Sequence, residues 1–178
     1  EKLQSMAPLR LSQRLTQSEQ AYLESCFELR DREKEQVVDR RLKDLAEMGW
    51  GVVFPAVQSG SPEEREQLQI LECLRPLLNL RREQVRDPTY YKELTGVDGY
   101  RRGETKTQFL SRFNVGSGSL NPSKMPYYLL LVGDPEAISF EFQYQIDIQY
   151  AVGRIHFDQL QDYAAYARSV VKAETDDS

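Results

Sequence analysis

"YYLLLVGD", Tyr127 to Asp134, is an unbroken apolar and aromatic run that ends in Val-Gly-Asp. A strand with one wet face alternates polar and apolar side chains, and this run does not. It therefore reads as a central strand covered on both faces, as the strands of parallel sheets are. Helices must supply that cover. The reading implies a three-layer α/β fold, with "WGVVF", "YYLLLVG" and "YAVGR" in a mainly parallel sheet.

On the carboxyl side of this run the pattern changes. From Ile138 to Val152 every even position is apolar, namely Ile138, Phe140, Phe142, Tyr144, Ile146, Ile148, Tyr150 and Val152. Period two over that length predicts two strand pieces with a break, each with one wet face. Asp158 is then the expected cap of a final helix from Gln159. Its Leu160, Tyr163, Ala164, Ala167, Val170 and Val171 form a stripe of helical period.

On the amino side, residues 1–16 read as a flexible lead-in. Thr16 and Glu19 make a capping-box start for a long helix over 17–48, whose apolar stripe is interrupted by the charged waist "RDREKEQ". Residues 50–89 hold a strand closed by Pro55 and a helix signalled by Ser61, Pro62 and Glu64. Leu68, Leu71, Leu74 and Leu78 are its predicted buried stripe, and Pro76 is predicted to kink or divide it. Residues 90–120 are a turn-rich insert with one short helix near Thr105 to Phe113. A single α/β domain over 17–174 is thus expected, with 127–174 as its closing segment and 175–178 as a tail.

A chain of 178 residues can bury a core without disulfide or metal staples. Its net charge of -5 and pI near 5.1 do not suit a phosphate backbone, so no nucleic-acid partner is expected. No run approaches the length of a membrane span, so no membrane partner is expected either. Cys26 and Cys73 sit on helix stripes without metal-ligand spacing and read as small core residues of a reducing, cytoplasmic protein. The first residue is a glutamate, so the natural start is expected upstream.

Three residues are ligand-binding candidates: Asp134, Asp147 and His156. Asp134 leaves the strand end where open α/β sheets bind ligands, although with Pro135 it reads first as the cap of a short turn. His156, in "GRIHFD", is the only histidine, so any internal Ser/His or Cys/His mechanism would need it. With one histidine and two helix-borne thiols, a zinc site is not supported. Neither GxGxxG nor a Walker-type loop is present, and no cofactor is expected. The basic clusters Arg81, Arg82, Arg86 and Arg101, Arg102, Lys106 read as solvated surface, and "GSGS" at Gly116 to Ser119 as a connector.

Taken in order, "YYLLLVGDPEAISF", "DIQYAVGRI" and "FDQLQDYAAYARSVVKAE" resemble the caspase-like cysteine peptidases of the gingipain type. The resemblance covers roughly the last third of the chain. It implies a three-layer caspase-like sandwich with a mainly parallel sheet, preceded by the long helix, and it places Asp147 in the Asp-and-Tyr pair before "VGR". In that family the catalytic histidine precedes a glycine and follows this helix, with the cysteine further on. Here the histidine precedes the helix and is followed by Phe157, so the dyad is carried over to no residue. The resemblance implies the non-catalytic, amino-terminal part of a bacterial caspase-like protease. Its expected partner is a protein, either a catalytic fragment or a regulatory chain. The alternative is a non-enzymatic regulatory or interaction domain that binds a protein partner.

Overall fold

The computed structural model describes residues 44–116 and 120–176. The lead-in, nearly all of the expected helix over 17–48, and Cys26 lie outside the described residues. The helix that ends at Met48 is α1, Leu45–Met48, and it has its own start: Asp44 is extended and its carboxylate accepts from Ala46 N at 2.9 Å. Gly49 ends it at φ 74, a conformation that disfavours a side chain. The chain then enters β1, Trp50–Val53, which is buried throughout.

Helix α2, Pro62–Gln84, begins as its signals require, with Ser61 Oγ accepting from Glu64 N at 3.1 Å. The Glu64 carboxylate takes the Gly60 amide rather than that of Ser61. Pro76 does not divide this helix. Leu71 and Leu74 before it, and Leu77 and Leu78 after it, are all buried, and packing on both sides holds the helix across the missing hydrogen bond. The predicted stripe also starts one residue out. Leu68 is 54% exposed, and Gln67 is buried in its place, donating to Pro55 O at 2.6 Å.

The insert expected to be turn-rich contains a strand, β2, Tyr91–Leu94. It follows the single turn Pro88–Tyr90 and precedes another at Gly96–Asp98. Helix α3, Lys106–Arg112, lies within the predicted range and carries a full capping box between Thr105 and Gln108. Strand β3 is Tyr128–Val132 and strand β4 is Ala151–Ile155, both from the runs read as strands.

Between them the expected alternating strands are instead a helix, α4, Phe140–Asp147, capped by Ser139 Oγ on Phe142 N at 3.2 Å. The reason lies in the period. Every second residue is apolar, but only every fourth one, Ile138, Phe142, Ile146 and Tyr150, is buried, while Phe140 and Tyr144 face outward. Spacing by four is one face of a helix. The final helix, α5, is Leu160–Asp176, with Tyr163 and Ala167 buried.

The four strands form one parallel sheet in the order β2-β1-β3-β4. Among the described residues five helices accompany it in a mixed α/β arrangement. Val53, Leu129 and Leu131 pack under α3 and α4, whereas Val52, Leu130, Val132 and Ile155 pack under α2 and α5. β3 is therefore apolar throughout because helices cover both its faces. The order reverses between β1 and β3, the switch point outside which doubly wound sheets hold ligands.

Candidate functional site

A cavity of about 850 Å³ opens at the carboxyl ends of β1, β3 and β4, between the first turns of α2 and α5. Phe54 and Tyr163 supply apolar wall, while Gln67, Asp134, His156 and Asp158 supply polar groups. Gly133 makes the turn out of β3 at φ 153, and a side chain there would press on the Pro55 ring at 3.3 Å.

Asp134 does what a capping aspartate does. Its Oδ1 accepts from Glu136 N and Ala137 N, each at 2.7 Å, and its backbone carbonyl accepts from Ile138 N at 3.0 Å. The Ala137 bond, aided by the Glu136 bond and by the charges of His156 and Arg154, holds the carboxyl below its ordinary range against a partial desolvation. His156 leaves β4 into the same cavity. Its Nε2 lies 3.9 Å from Asp158 Oδ1, too far for a hydrogen bond, and both side chains are exposed. Tyr163 fixes the chain just beyond, accepting from Phe157 N at 3.1 Å, and burial raises the Tyr163 phenol pKa.

The structure thus brings Asp134 and His156 together and leaves Asp147 apart. Asp147 ends α4 near Tyr127, which precedes the amino end of β3, the end of the sheet opposite the cavity; burial chiefly raises the Tyr127 pKa, and the charge of Asp147 adds to it. Cys73 sits midway along α2, part-buried against the α2/α5 core, and does not line the cavity. Among the described residues no thiol and imidazole are brought together as nucleophile and base, nor do three or more acidic, His or Cys side chains gather where they could hold a metal. No helix there is long and apolar enough to cross a membrane.

The residue that organises the site is Arg154, which sequence reasoning did not single out. Its Nη1 donates to Gly133 O at 3.0 Å, its Nη2 to Ile138 O at 2.7 Å, and its Nε to Gln143 Oε1 at 2.7 Å. Phe140 covers the guanidinium at 5.2 Å. One signal was available: Arg154 is the single charge in an otherwise apolar strand, and such a charge needs partners when folded in.

Comparison with known proteins returned no matching family model, no matching curated protein and no matching solved structure.

Proposed function

We propose that this chain is the non-catalytic, amino-terminal part of a caspase-like cysteine protease, its fold the caspase-like form of the three-layer sandwich. One observation carries the reading. The segments that bear the resemblance form a single unit, in which β3 pairs with β4 from Tyr128–Ala151 to Val132–Ile155 and the arginine of "VGR" binds the carbonyl of the glycine of "VGD". Peptide hydrolysis would proceed by thiolate attack on the scissile carbonyl, assisted by an imidazole, with both groups supplied from outside this sequence. The protein partner would be that catalytic half, in a reducing compartment such as the cytoplasm.

The test is the intact mass of the protein made from its natural gene, before and after brief iodoacetamide treatment. A longer product, or a co-purifying second chain, with one fast-reacting cysteine and a peptide-hydrolysing activity lost on alkylation supports the reading. A natural product with only slow thiols and no such activity overturns it in favour of a binding domain.

A further inference from the structure

Among the described residues, the outer edge of β4 is open. Ala151 N donates to Tyr127 O at 3.0 Å, and Ile155 O accepts from Gly133 N at 3.1 Å. In a parallel pair, both backbone groups of alternate residues turn to the same side. Ala151, Gly153 and Ile155 therefore bond to β3, and the amides and carbonyls of Val152 and Arg154 point outward.

Native sheets blunt such edges with charge, proline or a covering segment. The opposite edge, β2, follows this rule: Pro88 precedes it, and its Glu93 engages Arg75 and Arg82. β4 has neither device. Its only charge is folded back onto the β3–α4 loop, and Gly153 is exposed. Apolar surface flanks the same edge on both faces. Over Ala151 and Gly153 lies a notch of about 260 Å³ bounded by Trp50, Leu77 and Tyr166. On the other face Phe140 and Tyr144 stack 6.2 Å apart while 49% and 66% exposed.

We infer that this edge pairs with β4 of a second copy of the chain, antiparallel about a two-fold axis at Gly153. Outward groups of Val152 then meet those of the second copy's Arg154, and the two glycines face each other where strands approach most closely. No like charges oppose across the axis, because each guanidinium is drawn into its own β3–α4 loop. The direction of the chain argues against a simple extension of the sheet. α5 packs on the same face as α2, and Arg81 holds its last turn through Glu174. A right-handed crossover on that face leads from β4 back over β3, so a parallel strand outside β4 directly after α5 would need the rare left-handed connection.

This inference stands apart from the protease reading, and its test requires no activity. Sedimentation equilibrium of the 178-residue chain, up to about a millimolar, reads the association directly. Gly153→Cys places two thiols at a close antiparallel pair, and its Cβ has room, the nearest atom being Leu130 Cδ1 at 3.7 Å. On mild oxidation the Gly153→Cys chain should form a disulfide-linked dimer roughly tenfold or more faster than the exposed control Ser111→Cys, because pairing raises the local thiol concentration. Val152→Pro removes an outward amide without touching the bonds to β3, and should leave a folded monomer. A monomer over the whole concentration range with the two cysteine variants cross-linking alike overturns the inference, as does a folded Val152→Pro variant that still dimerises.

Discussion

Arg154 donates to the carbonyl of Gly133 at 3.0 Å, so the strand nearest the sheet edge holds the exit turn of its neighbour. The same guanidinium takes Ile138 O and Gln143 Oε1, which binds the start of α4 to that turn. Burial lowers its pKa, and Asp134 opposes that. Arg154→Met strands two carbonyls and a side-chain amide oxygen that lose a charged donor, and should cost about 2–3 kcal/mol. Arg154→Lys should recover less than half, since a point charge cannot span three acceptors. Urea midpoints decide it. A neutral Arg154→Met would show that water replaces the clamp freely.

The Arg81–Glu174 pair joins the last turns of α2 and α5 through two bonds of 2.6 Å, with Gln84 adding a third at 3.1 Å. The Arg81 hydrogen bond holds the Glu174 carboxyl below its ordinary range. A depressed folded-state pKa means stability that is present above the unfolded pKa and lost as pH falls through the folded one. Glu174→Gln should thus cost about 1 kcal/mol or less at pH 7, because the carboxylate is about a third exposed. The gap to the wild type should shrink once pH drops below about 4.3, the ordinary glutamate value. Urea titrations of both proteins at neutral and acid pH measure it, and a gap independent of pH would remove the ionic account.

Much of this architecture was legible where one signal dominated. β3 declared itself by an apolar run that only a doubly covered strand sustains, and α3 by a Thr105–Gln108 capping box. β2 was hidden because "YKEL" has the composition of a surface loop. Its strand form comes from pairing with β1 and from Arg75 and Arg82 neutralising Glu93, neither of which is local. At the site, strand ends marked Asp134 and His156. Arg154 was not legible as their organiser, since its acceptors lie 11, 16 and 21 residues away along the chain.

Gly49 sets how closely β1 and β2 begin. At φ 74 a side chain is strained, and its Cβ would also run into the carbonyl oxygen of Tyr90. Gly60, at φ 80, has open space around it. Gly60→Ala should therefore show the conformational cost alone, about 1–2 kcal/mol. Gly49→Ala should exceed it, because the carbonyl it meets belongs to the backbone entering β2 and cannot swing aside. Paired thermal denaturation scans separate the two costs. Equal losses would mean that the chain around Tyr90 yields.

The α4 segment gives the sharpest test of helix against strand. As two-faced strands, Phe140, Phe142, Tyr144 and Ile146 would share one buried face, and truncating any of them would open a cavity. As a helix, Phe142 and Ile146 point into the core, where Phe142 packs against Tyr100 at 4.3 Å and Phe109 at 5.2 Å. Tyr144 stacks on Phe140 at the surface. Phe142→Ala should then cost about 3–5 kcal/mol, the usual loss for an aromatic removed from a packed core. Tyr144→Ala should fall within about 0.5 kcal/mol of the wild type, as surface changes do. Similar losses at both positions in chemical denaturation would reject the helix and restore the alternating strand.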